Sequence, residues 1–155
     1  MSFQVSPLPA EDFSALYGLS DDVLAGLGVI ASTADAMPGF PCRVSLRDAE
    51  PGERVLLLNY EHQKAQTPFR ASHAVYVIDG AKEAHPQIDE VPKQLASRLL
   101  SVRAFSTEHL MVNADVVEGE KASELFEKML ADRRTSYLQV HYARQGCYAA
   151  RIDRV

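Results

Sequence analysis

The chain contains no tryptophan, only two cysteines, no long hydrophobic run and no cluster of basic residues. Its longest stretch without a charged side chain, residues 23–34, has 12 residues, whereas a membrane-spanning helix needs about 20 mostly apolar ones. The 16 basic and 21 acidic residues give a formal net charge of −5. Nucleic acids and anionic membranes are bound through clustered positive charge, so we expect the protein to bind neither.

The short motifs of common enzyme active sites are also missing. There is no GxxxxGK[ST] phosphate-binding loop, no HExxH or CxxC motif and no GxSxG nucleophile motif. The letters of a dinucleotide-binding fingerprint occur at Gly26, Gly28 and Ala31. They end a polar helical segment instead of joining a strand to a helix, so they do not indicate such a site. The motifs therefore leave the cofactor unknown.

What is present is the composition of an ordinary globular protein. The chain has 155 residues, of which 46% are apolar and 24% charged, and this size suits one domain spanning residues 1–155. The amino terminus has neither the basic nor the apolar segment of a secretory signal. We therefore expect a cytoplasmic protein in which Cys42 and Cys147 are reduced thiols.

Helical and strand patterns follow each other in an order that predicts an α+β fold. The clearest helix covers residues 120–131, where apolar residues recur on one face. Shorter helices are predicted after Pro9, between Ser20 and Gly28, and from Pro92 to Leu99. Strands are predicted over residues 43–46, 55–58, 72–78, 102–105, 111–117, 136–142 and 147–153. We predict a single domain with a mainly antiparallel sheet, helices packed on one side and a C-terminal β-hairpin.

Polar side chains that can carry chemistry gather near the predicted strand ends. His62 lies in the polar connection that follows a buried strand, and His73 begins the next strand directly after Arg70 and Ser72. If these two strands pair, the end of one and the start of the other meet at the same sheet edge. Long polar connections of this kind often carry function when they are ordered.

The predicted hairpin contributes a second polar group. With a tight loop at residues 143–146, His141 lies opposite Tyr148, and cross-strand partners share a face. This pairing predicts a polar face with Gln139, His141, Tyr148 and Ala150, and a more apolar face with Val140, Tyr142, Cys147 and Ala149.

These residues predict a pocket at one sheet edge for a small polar or anionic ligand. Arginine suits the anionic group, and a histidine serves as base or hydrogen-bond donor. The candidate catalytic residues are His73, His141 and Cys42; the candidate ligand-binding residues are His62, Arg70, Ser72, Arg43 and Tyr148. The pattern predicts no particular reaction and leaves open whether the protein is an enzyme.

Three other functions fit the same sequence. A protein-interaction module without catalysis would use an exposed sheet edge or apolar patch. A thiol-based enzyme would use Cys42, activated by the neighbouring Arg43 and a nearby histidine. A zinc site would draw on thiolate and imidazole ligands from Cys42, His62, His73, His141 and Cys147. The alternative to all of these functions is that the candidate residues have only a structural role. Cysteine, for example, is often simply a small buried hydrophobic residue.

Four segments carry a resemblance to a known family. They are PGFPCRVSLRDAEPGERVLLLNYEHQ (residues 38–63), PFRASHAVYV (68–77), LLSVRAF (99–105) and GCYAARIDR (146–154). The chain resembles a family of small bacterial proteins described as a domain of unknown function, DUF1203. The resemblance spans nearly the whole chain and implies one such domain and a bacterial origin. It implies no activity, cofactor or catalytic residue.

Overall fold

Eight strands, three α-helices and three short 3₁₀ turns make up the chain in a computed structural model that describes Met1–Val155. The helices are α1 (Asp21–Gly26), α2 (Lys93–Ala96) and α3 (Ala122–Ala131). The strands are β1 (Phe3–Ser6), β2 (Ile30–Thr33), β3 (Arg54–Gln63), β4 (Ala71–Ile78), β5 (Leu99–Phe105), β6 (Met111–Glu118), β7 (Tyr137–Tyr142) and β8 (Tyr148–Arg154).

The strands form two antiparallel sheets. The larger sheet has the order β1-β8-β7-β5-β6, and the smaller has the order β2-β3-β4. Every pairing between strands is antiparallel, and β7 and β8 form the C-terminal hairpin. The predicted α+β class is therefore confirmed, with the strands distributed over two sheets. No helix is both long enough and apolar enough to cross a membrane.

One face of the larger sheet packs against α3 and holds the main hydrophobic core. Leu138 and Val140 of β7 point to this face, where they join Phe126 and Leu130 of α3 in a cluster of 17 buried residues. The rings of Phe3 and Phe126 meet edge to face with centroids 5.3 Å apart. Because α3 buries the apolar stripe that its sequence predicts, this half of the fold follows directly from helical periodicity.

The opposite face of the larger sheet is covered by the smaller sheet. All six residues of β7 are buried, although Gln139 and His141 alternate with the apolar residues that face α3. A second cluster of 12 buried residues, which includes Val75 and Val77 of β4 together with Tyr148 of β8, lies on this side. Polar side chains are therefore enclosed between two sheets, where burial is costly unless hydrogen bonds or another partner satisfy them.

The strand predicted at residues 43–46 does not form. The segment turns back on itself. The amide of Leu46 donates to the carbonyl oxygen of Cys42 at 3.1 Å, and the amide of Cys42 donates to the carbonyl oxygen of Arg47 at 3.0 Å. Cys42 makes only an isolated bridge to Tyr76. The β-like pattern was misleading because Arg43 turns inward, where its guanidinium bonds backbone carbonyls.

The strand predicted at residues 55–58 is longer than expected: β3 continues to Gln63, so His62 lies within the strand and not in the polar connection after it. The remaining differences concern the shorter elements. Two 3₁₀ turns, Ala10–Asp12 and Ser14–Leu16, replace the helix predicted after Pro9. The helix predicted from Pro92 ends at Ala96, because β5 begins at Leu99. The strands β1 and β2 were not predicted, since four-residue edge strands carry little pattern of their own.

Candidate metal centre

Three histidines from three strands converge between the two sheets. His62 comes from β3, His73 from β4 and His141 from β7, and one ring nitrogen of each lies within 4.8 Å of the others. The ring centroids are 4.8 Å apart for His62 and His73, and 5.1 Å apart for each of these rings and His141. The structure thus brings together imidazoles that are up to 79 positions apart in the sequence.

A β-bulge in β3 lets both His62 and Gln63 point toward the larger sheet. In the β3–β4 register Glu61 pairs with Ser72 and Gln63 with Ala71, which leaves His62 as an extra residue. Both His62 and Gln63 reach across to β7, where His62 bonds Gln139 and Gln63 bonds Tyr137. Bulges often redirect side chains next to functional sites, and this one delivers two consecutive side chains to the same interface.

A second bulge lies in the hairpin on the other side of the cluster. His141 pairs with Tyr148, as the sequence predicted, but Val140 pairs with Ala150, so Ala149 is the extra residue. This bulge contradicts the predicted placement of Ala150 beside Gln139, which pairs instead with Arg151. It leaves the ring of Tyr148 stacked on His62, with centroids 4.6 Å apart and planes inclined by 13°.

The hydrogen bonds of His141 determine which ring nitrogen carries its proton. Nδ1 lies 3.0 Å from the carbonyl oxygen of Gly146, which can only accept, so Nδ1 carries the hydrogen. Nε2 therefore presents a lone pair. This atom is buried and has no hydrogen-bond partner, and His141 as a whole is 0% exposed. A lone pair left bare in the interior is unfavourable unless something binds it.

The same reasoning applies to His62. The side-chain amide of Gln139 donates to the backbone carbonyl of His62 at 3.1 Å, which leaves its oxygen to accept from Nδ1 of His62 at 2.9 Å. Nε2 of His62 thus carries a lone pair as well, and it lies 2.6 Å from Nδ1 of His73. His73 donates this hydrogen bond. His62 and His141, but not His73, match a common feature of metal-binding histidines, in which a carbonyl oxygen holds the nitrogen that faces away from the metal.

Burial keeps the imidazoles neutral. Desolvation lowers the pKa of His62 to about 4 and that of His141 to about 3. The pKa of His73 is also lowered, first by desolvation and then by the positive charge of Arg103. Neutral imidazole is the form that coordinates a metal, so binding at neutral pH would require no proton to be removed from a charged ring.

The other predicted site residues fall into two groups. Tyr148 belongs to the cluster through its stacking on His62. Arg43 and Cys147 lie beside the cluster, with Nη2 of Arg43 3.0 Å from Sγ of Cys147. Cys42 lies apart in the second core cluster, where its Sγ accepts from the amides of Ser45 and Ile78 at 3.4 and 3.2 Å. Neither thiol joins the three imidazole nitrogens.

Arg70 and Ser72 lie on the outer face of the smaller sheet. Arg70 is exposed and pairs with Glu61 at 3.1 Å, and Ser72 is exposed opposite Glu61 in the neighbouring strand. Alternation along β4 explains this placement, because Ser72 must point away from the side to which His73 points.

Two residues that support the cluster were not among the predicted site residues. Gln139 holds His62 from β7, two positions before His141, so strict alternation along this strand could have identified it. Arg103 lies opposite Gln139 on β5 and contributes to the lowered pKa of all three histidines. It has no ion-pair partner, contrary to the surface salt bridge that an isolated arginine usually indicates.

These features define an α+β protein in which two antiparallel sheets enclose a tri-histidine cluster. A family model described as "Protein of unknown function (DUF1203)" matches residues 39–154, which include all three histidines. The chain belongs to the DUF1203 family. No curated protein and no solved structure matches it.

Proposed function

We propose that the protein binds a divalent transition-metal ion through His62, His73 and His141. The observation that carries this proposal is the buried Nε2 of His141, which has a lone pair, no partner and two other imidazoles beside it. A metal ion at this position would satisfy that atom. It would also explain why three titratable side chains are enclosed between two sheets.

The ligand set indicates the class of metal. Imidazole nitrogen suits zinc, copper, iron and nickel, whereas magnesium and calcium prefer oxygen ligands. Only nitrogen ligands converge here, so the zinc site considered from the sequence is retained with three ligands, without Cys42 and Cys147.

The number of ligands indicates what the metal does. Structural zinc sites are usually closed by four protein ligands, while catalytic sites have three and keep a position open for water or substrate. Three histidines therefore favour a centre that binds or activates a small molecule over one that only stabilises the fold. We therefore infer that the protein is an enzyme or a ligand-binding protein that acts through this metal ion.

The setting that we propose is the cytoplasm of a bacterial cell. Both cysteines are free thiols, as is usual in a reducing compartment. A thiol-based reaction at Cys42 has little support, because its sulfur is fully buried and already accepts two hydrogen bonds.

Metal binding is tested with untagged protein, so that no added histidines interfere. We expect one Co²⁺ per chain, detected by its visible absorption spectrum, and displacement of Co²⁺ by Zn²⁺. A His85→Ala variant is a suitable control, since His85 lies in a loop outside the cluster. Sub-stoichiometric binding by the unaltered protein, or equal binding after the three histidines are replaced together, would contradict the proposal.

Replacing Gln139 by leucine is expected to weaken the metal centre without removing a ligand. The variant loses the acceptor that holds Nδ1 of His62 at 2.9 Å, and loss of such outer partners typically lowers metal affinity about 10–100-fold. Competition between the protein and a chromophoric chelator measures this affinity. Gln4→Leu, which alters a glutamine outside the cluster, should leave it unchanged.

A further inference from the structure

We propose that the cavity beside His73 binds the carboxylate of a small organic acid, with Arg43 as the anion-binding residue. The position of this acid next to a metal ion rests on the proposed function. Binding of the carboxylate by Arg43 follows from the cavity itself.

The cavity lies where the free edge of β4 meets the β7–β8 turn. It has a volume of about 370 Å³, within the range of small-molecule sites. His73 forms part of its wall, as do Gln145 and Cys147 of the turn. His73, whose ring belongs to the histidine cluster, therefore also borders this cavity.

Arg43 is a buried cation without a carboxylate partner. The residue is 1% exposed, and three of its N–H groups are used: Nε donates to Tyr148 O at 2.8 Å, Nη1 to Pro41 O at 2.6 Å and Nη2 to Cys147 Sγ at 3.0 Å. A guanidinium has five N–H donors. One N–H on each terminal nitrogen thus remains free, which is the donor pair that a carboxylate can engage.

A second guanidinium borders the cavity, but its charge is paired with a carboxylate. Arg98 also lines it and is bound to Asp48 at 2.6 Å, and the two arginines lie 5.0 and 5.1 Å from the centroid of the Tyr142 ring. The residues that line the cavity include no carboxylate. Because Arg98 is paired with Asp48, the uncompensated positive charge at the cavity is that of Arg43, and this charge favours an anion as the occupant.

The rest of the wall indicates what the anion is attached to. Pro41, Leu57, Ala74 and Tyr76 present apolar surface to the cavity. A free inorganic anion would leave this surface in contact with water, whereas an organic acid with a short apolar body would cover it. The complementary ligand is therefore a small carboxylate with an apolar portion.

Fluorine NMR of two carboxylate probes, trifluoroacetate and para-fluorobenzoate, tests this inference. Each probe is added to the Co²⁺-loaded and to the Zn²⁺-loaded protein. Because Co²⁺ is paramagnetic, a probe bound beside the metal relaxes faster in the cobalt protein than in the zinc protein. We expect this acceleration for at least one carboxylate and none for the uncharged para-fluorobenzamide.

Two variants test the guanidinium of Arg43 and the space of the cavity separately. Arg43→Gln should weaken carboxylate binding at least about tenfold, the scale of one lost charge-assisted contact, while the exposed Arg47→Gln should have no effect. Ala74→Phe fills the cavity and leaves Arg43 and the histidines intact, so it tests the site even if Arg43→Gln does not fold. We expect it to prevent carboxylate binding and to preserve the cobalt spectrum.

The outcomes distinguish the two proposals. If Co²⁺ does not bind, the metal proposal fails, and line broadening of the probes in the metal-free protein still tests the Arg43 cavity. If Co²⁺ binds but neither carboxylate relaxes faster in the unaltered protein than in Ala74→Phe, the inference is overturned and the metal centre stands. Equal binding of para-fluorobenzoate and para-fluorobenzamide would also overturn it.

Discussion

Replacement of His141 by leucine is expected to lower the affinity for Co²⁺ by more than about 100-fold. The loss should exceed the roughly 10–100-fold cost of removing an outer-shell partner, because the substitution removes a ligand itself. Leucine has a similar size and cannot coordinate a metal. It also eliminates the buried Nε2 that has no hydrogen-bond partner, so the variant should remain folded in the absence of metal.

The measurement is a chelator competition on the unaltered protein and on four variants. Leucine replacements of His62, His73 and His141 should each lose affinity, whereas His109→Ala should not, because His109 bonds Tyr137 outside the cluster. Circular dichroism spectra confirm that each variant is folded. Co²⁺ affinity within a few-fold of the original after loss of His141 would exclude this residue as a ligand.

Acidification of the metal-free protein is expected to reduce its free energy of unfolding by about 4 kcal/mol between pH 7 and pH 5. Unfolded histidine has a pKa near 6.5, whereas burial holds His62 at about 4 and His141 at about 3. Between these values the unfolded chain takes up protons that the folded protein does not. The stability provided by the neutral rings is thus complete above pH 6.5 and is lost as the pH falls toward 4.

Urea unfolding at pH 7, 6 and 5 in the presence of a chelator measures this effect. The His141→Leu variant should lose about half of the pH dependence, since each of the two rings contributes about 2 kcal/mol over this interval. A loss of about 4 kcal/mol is a large part of the 5–15 kcal/mol that stabilises typical domains. A flat profile between pH 7 and pH 5 would show that the histidines titrate as they do in the unfolded chain.

The elements that could be predicted from the sequence are those in which a local period decides the structure. The apolar stripe predicted α3 almost to its boundaries, and alternation across a tight loop predicted the β7–β8 hairpin with His141 opposite Tyr148. The strand that alternation predicted at residues 43–46 is not formed. Its pattern is that of a strand, but the segment folds as a turn, and the buried guanidinium of Arg43 donates to the carbonyl oxygens of Tyr148 and Pro41.

The candidate site could be predicted only as a set of residue types. His62, His73 and His141 were recognisable as candidates, but so were Arg70 and Ser72, which the structure places on the opposite face of the smaller sheet. Alternation along β4 puts Ser72 and His73 on opposite faces, but which face is enclosed depends on the sheet that packs against it. Alternation is enough to put Gln139 on the face of His141, whereas the position of Arg103 opposite Gln139 depends on how β5 pairs with β7.

The fold class, the amphipathic helix, the terminal hairpin and the acidic character of the chain follow from its amino-acid order alone, since each depends on composition or on contacts between residues close in sequence. Which imidazoles meet, which ring nitrogen of His141 has no hydrogen-bond partner and which arginine borders a cavity depend on the three-dimensional arrangement of the strands. Those features arise where two sheets stack and where bulges shift the register, and both are settled by packing between segments far apart in the chain.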